Sequence, residues 1–190
     1  MNDHRQQAAQ IAQEMLQRQP IFLDTETTGF ENNDEVIEVA VIDHDGQVLL
    51  DTLVKPRKSI PSGATAVHGI TDANVAFSPP WGEVWPQLVE VLEGRVLGIY
   101  NAKFDLRLLR QTCGLNGIAW EPPFADQFCV MELFAQFYGE WNPRHRNYRW
   151  KSLEFAGKHL GLPEPNAHRA KADTILARLV LHKIAGEVGE

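Results

Sequence analysis

Two hydrophobic periods run through this chain, and the places where one gives way to the other mark its elements. Over residues 3–18, Ala8, Ile11, Ala12, Met15 and Leu16 recur at helical spacing in an otherwise polar segment, which predicts a leading helix ended by Pro20. Three runs rich in strand-forming residues follow at 20–26, 36–43 and 47–54. His44-Asp45-Gly46 is a turn signal between the last two, so an antiparallel meander is expected at one side of a sheet. Residues 55–80, with Pro56, Pro61, Pro79 and Pro80, predict an irregular stretch of the length that is usually functional or mobile. Trp81, Val84, Trp85, Leu88 and Leu92 then repeat at helical spacing up to Gly94, predicting a helix at 81–93 with both tryptophans in the core.

Val96 to Tyr100 is a short apolar strand that runs directly into a helix reaching Gly114. A further helix is expected at 127–138, with Asp126 as its N-cap, and another from a Ser152 cap to Gly161. A loop marked by Pro163 and Pro165 precedes a last helix at 169–186, which turns Ala172, Ile175, Leu176 and Leu179 inward. No internal repeat, low-complexity tract or linker interrupts the 190 residues. The expectation is one α/β domain: a mixed five-stranded sheet with flanking helices over 20–190, and a helix at 1–19 packed on it.

Composition narrows the setting. The apolar runs are too short to span a bilayer, and the polar start (Asn2, Asp3, His4, Arg5) is no signal peptide, so no membrane partner is expected. Cys113 and Cys129 are the only cysteines and form no CxxC motif, which suits a reducing, cytoplasmic setting and offers no zinc site. The net charge of −7 gives no global attraction to nucleic acid, so such a partner must be held by local features. One segment, 139–151, is locally basic: Arg144, His145, Arg146, Arg149 and Lys151 alternate with Trp141, Tyr148 and Trp150. It could track a single strand and stack its bases, or be a solvated loop anchored by its aromatic residues.

The candidate chemistry starts at the end of the first strand. Asp24 and Glu26 are two residues apart and project from one face of a buried strand. At roughly 4 Å and an effective dielectric near 20, two carboxylates repel by about 4 kcal/mol. A hard divalent cation between them removes that repulsion; two exposed acids at a strand end are the alternative. Asp105 lies one helical turn after Asn101, and His168 and Asp173 bracket the start of the final helix. Taken singly, each of these also reads as an ordinary surface group.

Together they resemble a family. Asp24-Thr25-Glu26-Thr27-Thr28-Gly29, Asn101-Ala102-Lys103-Phe104-Asp105 and His168-Arg169-Ala170-Lys171-Ala172-Asp173 match, in order, the D-x-E, N-x-x-F-D and H-x₄-D motifs of the DnaQ-like 3′–5′ exonucleases. The segment His68-Gly69-Ile70-Thr71 is also similar to the family, and the likeness covers roughly residues 20–182. Arg169 stands where the tyrosine branch of this DEDD superfamily would need Tyr, so His168 assigns the resemblance to the DEDDh branch, related to DNA polymerase III epsilon.

The resemblance implies an RNase H-like fold and cleavage from 3′ ends, releasing nucleoside 5′-monophosphates. It implies Asp24, Glu26, Asp105 and Asp173 as ligands of two divalent cations, Mg²⁺ or Mn²⁺, and His168 as general base. It offers Thr27 and Thr28 through their amides, with His68, Asn101 and Phe104, as substrate contacts. Arg144, Arg146, Tyr148 and Arg149 are further nucleic-acid candidates. Tyr100 stands where many relatives carry His, and Lys171 where many carry an apolar residue; neither removes a ligand. Single-stranded DNA is the favoured substrate, with RNA 3′ ends or short oligoribonucleotides as the alternative. A homodimer and a polymerase or repair partner stay open, although no extended tail follows residue 186 to tether one. Because all four acids and the histidine are present, a non-catalytic binding module is the weaker reading.

Overall fold

The structure, a computed structural model, describes residues 3–163 and 168–186. Its centre is a five-stranded mixed sheet in the order β3-β2-β1-β4-β5. β1 (Ile21–Thr27), β2 (Val36–Ile42) and β3 (Val48–Leu53) form the antiparallel meander expected from the turn signal. Gly46 takes φ 92° in that turn, while the Asp43 carboxylate accepts from the Asp45 and Gln47 amides. β4 (Val96–Ile99) adds parallel to β1, and β5 (Asp126–Cys129) adds parallel to β4.

The period of two decides which helices cover which face. Ile21 and Leu23 pack with Trp81, Trp85, Leu88, Leu92, Leu108 and Leu109, the inner stripes of α4 (Trp81–Leu92) and α5 (Ala102–Leu115). Both tryptophans are buried, as expected. Phe22 points the other way, into a core built from α1 (Asp3–Gln17), α6 (Val130–Tyr138), α7 (Leu153–His159) and α8 (Ala170–Ala185). Asp24 and Glu26 continue the Phe22 row, so both acids face α8. Ser152 caps α7 as expected, accepting from the Phe155 amide at 3.2 Å.

Three expectations are corrected. Residues 126–129 are a strand, not the first turn of a helix, and α6 starts at Val130. Asp126 therefore caps nothing; it pairs with Arg18 at 2.7 Å. Pairing with Val96–Ile99, which local sequence does not contain, overrides the helical pattern there. The irregular stretch 55–80 holds two short helices, α2 (Ser62–His68) and α3 (Asp72–Val75). The basic segment folds as a small hairpin of β6 (Trp141–Asn142) and β7 (Asn147–Tyr148). The loop expected at Pro163 and Pro165 lies partly outside the described residues, as do Asn2 and 187–190. None of the described helices is long and apolar enough to cross a membrane.

Candidate active site

The end of β1 and the start of α8 bring three carboxylates together. Asp24, Glu26 and Asp173 each offer an oxygen, and these oxygens lie within 4.8 Å of one another. Asp173 reaches the sheet from the first turn of α8, where it is buried. Asp105 approaches β1 from the opposite face, in the first turn of α5. Its Oδ1 accepts from the Thr25 hydroxyl at 2.7 Å and from the Thr25 amide at 3.2 Å. The residue between the two strand acids thus holds the fourth.

Crowding raises the proton affinity of this group. Although part of Asp24 reaches solvent, protein surrounds it. Burial first, then the charges of Asp105, Asp173, Glu26 and Glu38, push its carboxyl well above the ordinary range. Glu26 is pushed up to about 8, mainly by burial and then by Asp173, Glu38 and Asp105, with Arg169 pulling the other way. Asp105 rises to about 7 through burial, against the opposing Thr25 hydrogen bonds. An all-oxygen donor set whose negative charges disfavour one another fits a hard divalent cation.

A cleft of about 730 Å³ opens over these acids. Of the residues expected at the site, it is lined by Asp24, Glu26, Thr27, Thr28, His68, Asn101, Phe104, Asp105, His168 and Asp173. His168 is exposed and sits just before α8 in the left-handed region, at φ 46°. Such a conformation in a non-glycine residue costs on the order of 1–3 kcal/mol and persists where its surroundings impose it. His68 is buried at 6% exposure, its Nδ1 accepting from the Ile70 amide at 3.0 Å. Burial lowers its pKa. The Thr27 backbone opposes that shift, yet no group among the described residues completes a hydrogen bond to Nε2.

The turn after β1 is held from below. The Thr28 amide donates to the Glu35 carbonyl at 2.9 Å, which ties the turn to the strand that follows. The Thr28 hydroxyl donates to Asp34 Oδ1 at 2.7 Å, and Lys58 Nζ reaches the same oxygen at 2.8 Å. Burial alone would raise Asp34, but hydrogen bonds from Lys58, Thr28 and the Glu31 amide hold its pKa low. Gly29, at φ 153°, packs so closely here that a Cβ would lie 2.6 Å from Asp34 Oδ2.

Arg144, Arg146, Tyr148 and Arg149 do not line the cleft. Tyr148 packs on His4 and Trp141, and Arg149 pairs with Glu140 at 3.2 Å, so the hairpin is fixed by α1 and by its own base. Conversely, the motifs assign no role to three groups in or beside the site. Phe30, 76% exposed, meets Phe104 with ring centroids 5.7 Å apart. Glu38 and Arg169 form an ion pair beside Glu26. Glu38 had a signal, being the one charge inside the apolar run Val36–Ile42. Phe30 had none beyond its place after Gly29.

Carboxylates converging at the end of the central strand of a mixed sheet form a site whose oxygen donors fit a divalent cation. The family model described as Exonuclease matches residues 21–181, and the chain belongs to that family. It is 38% identical over 182 residues to an uncharacterized exonuclease of Escherichia phage 186, covering 93% of each chain. It is 36% identical over 165 residues to a DNA polymerase III subunit epsilon-like protein of Rhodobacter capsulatus, where it covers 82% of this chain but only 22% of that protein. Among solved structures, Exonuclease X in complex with 5′ overhanging duplex DNA superposes with a TM-score of 0.64 at 26% identity, covering 88% of this chain and 92% of the other. The nuclease domain of 3′hExo, a DEDDh family member bound to rAMP, gives a TM-score of 0.69 at 17% identity over the same shares.

Proposed function

We propose that the chain is a metal-dependent 3′–5′ exonuclease that hydrolyses phosphodiester bonds at the 3′ end of single-stranded nucleic acid, DNA in preference, and releases nucleoside 5′-monophosphates. The observation that carries this reading is the convergence of Asp24, Glu26 and Asp173 within 4.8 Å at the floor of a cleft that His168 also lines. Asp24, Glu26 and Asp173 would hold one Mg²⁺ or Mn²⁺; Asp24 would be shared with a second, and Asp105 would act through water or that second ion. Bound there, the two ions supply the positive charge that stabilises the attacking and leaving oxygens of an in-line displacement.

His168 would take the proton from the attacking water as general base. Its place before α8, reached by solvent, suits passing that proton on. Phe104 and Phe30 offer aromatic faces to the terminal nucleotides, and His68 Nε2 and Asn101 offer polar contacts at the cleft wall. The Exonuclease X complex, with its DNA, supports the preference for DNA. Unpaired Cys113 and Cys129 suit a reducing compartment such as the cytoplasm.

The test is a 3′-labelled oligonucleotide incubated with Mg²⁺, with Mn²⁺, and with EDTA. Mononucleotide release that needs the metal is expected; metal-insensitive product, or none with either ion, would sink the reading. Matched DNA and RNA oligomers rank the substrates, and faster release from RNA would transfer the reading to RNA 3′-end processing. His168→Ala is expected to lose turnover by about 10²–10⁴-fold while still binding Mn²⁺.

A further inference from the structure

Glu38 lies on β2 directly across from Glu26, only 3% exposed, and the proposed chemistry leaves it without a task. Its contacts come from two consecutive residues. Arg169 Nε donates to both Glu38 oxygens at 3.1 Å, and Arg169 Nη2 donates to Oε1 at 2.5 Å. The Ala170 amide donates to Oε2 at 2.9 Å. Three donor hydrogens thus meet the two carboxylate oxygens, the Arg169 Nε–H shared between them, and take up most of the acceptor capacity of Glu38. The guanidinium edge formed by Nε and Nη2 is likewise turned toward Glu38 rather than the cleft.

The segment held in this way is the one that completes the site. His168 immediately precedes Arg169 with its left-handed backbone, and the Asp173 amide donates to the Arg169 carbonyl at 3.0 Å to close the first turn of α8. Within residues 168–173, then, one end carries the imidazole, the other carries the third cluster acid, and the clamp lies between them. A second pair, Lys171 with Asp51 of β3 at 3.3 Å, holds the same turn from a more exposed position.

We infer that Glu38 and Arg169 are a positioning pair for the reaction: Glu38 fixes the entry into α8 so that Asp173 meets Asp24 and Glu26 while His168 faces the same cleft. The inference rests on the exonuclease reading of this site. Neither member touches the ion or the scissile phosphate; they act through His168 and Asp173.

The test compares Glu38→Gln, Arg169→Lys, Arg169→Gln and the double variant Glu38→Gln/Arg169→Gln. Two quantities are read: kcat and KM on a 3′-labelled DNA oligonucleotide, and Mn²⁺ affinity by calorimetry without substrate. Partners that orient metal ligands change activity or metal affinity by about 10–100-fold when removed. Each Gln variant is expected to fall in that range in kcat and to weaken Mn²⁺, with KM held within about threefold. The double variant is expected to be no worse than the poorer single one, because the two act as a unit. Arg169→Lys recovers part of the Arg169→Gln loss, since it keeps the charge but not the fork.

A raised KM with unchanged kcat in Arg169→Gln would make Arg169 a substrate contact and overturn the inference. So would an unaffected Glu38→Gln, or losses that multiply in the double variant. If Glu38→Gln fails to fold, Arg169→Lys at the half-exposed end of the pair decides. Wild-type protein that binds Mn²⁺ but releases no nucleotide refutes the exonuclease reading instead, and the Mn²⁺ affinities of the variants then judge the pair. No Mn²⁺ binding by the wild type overturns both.

Discussion

At Asp24, stability and function pull in opposite directions. Four neighbouring carboxylates and burial raise its pKa, so its ionised form strains the metal-free fold. Asp24→Asn is expected to abolish turnover and yet to raise the melting temperature in EDTA. Each repulsion relieved is worth about 1–4 kcal/mol at such separations, and each kcal/mol moves Tm by about 2–4 °C in a chain of this size. The same charges give a pH dependence with a definite sign. Glu26 near 8 and Asp105 near 7 bind protons more tightly folded than unfolded. The folded state is therefore favoured fully below the ordinary carboxylate pKa of about 4 and loses that advantage as pH rises toward 8. Thermal melts in EDTA should fall between about pH 5 and 8, and saturating Mg²⁺ or Mn²⁺ should flatten the decline; a flat profile in EDTA would contradict the proposed charge crowding. The D-x-E pair was legible because a strand's period of two places both acids on one face. Glu38 was as plainly written, a single charge in an apolar run, but its task depends on Arg169, 131 residues away, and no spacing rule connects them.

At the scale of elements, the sequence was readable where periodicity ran long enough. α4, with five buried positions at helical spacing, was expected within a residue of its observed end. α2 and α3, of seven and four residues, are too short to carry a period and were read as irregular. β5 was missed because its four residues hold no alternating pattern of their own; they extend because β4 offers an unpaired edge. Gly98 of β4 is what lets that edge pack. A Cβ there would sit 2.7 Å from Phe128 and 3.0 Å from Phe22, whose rings meet edge-on with centroids 6.4 Å apart. Gly98→Ala should therefore destabilise by about 1–3 kcal/mol in urea unfolding, the usual penalty for overpacking. Activity per folded molecule should stay close to wild type, because neither crowded ring lines the cleft. A variant as stable as wild type would show that the two rings can part without loss.

For the whole molecule, the question is how a chain of net charge −7 meets a polyanion. The acidic cleft cannot attract substrate without its ions, so any reach beyond the terminal nucleotides must come from local cations. The β6–β7 hairpin supplies some, but unequally. Arg149 and Lys151 are already paired with Glu140. Arg144 and Arg146 are exposed and make no ion pair among the described residues. If they track the strand, Arg144→Ala/Arg146→Ala should raise KM for a single strand of about 12 nucleotides, a length within the range of single-strand sites. It should also make the fall of log(kcat/KM) with log[salt] shallower by roughly one for each phosphate that the variant no longer neutralises. A dinucleotide, which ends within the cleft, should be cleaved by the double variant as by the wild type. Longer strands would then separate the two readings of this segment that sequence alone left level. An unchanged salt slope at both lengths would leave the hairpin with only the role its packing on His4 already shows, a brace between α1 and the entry to α7.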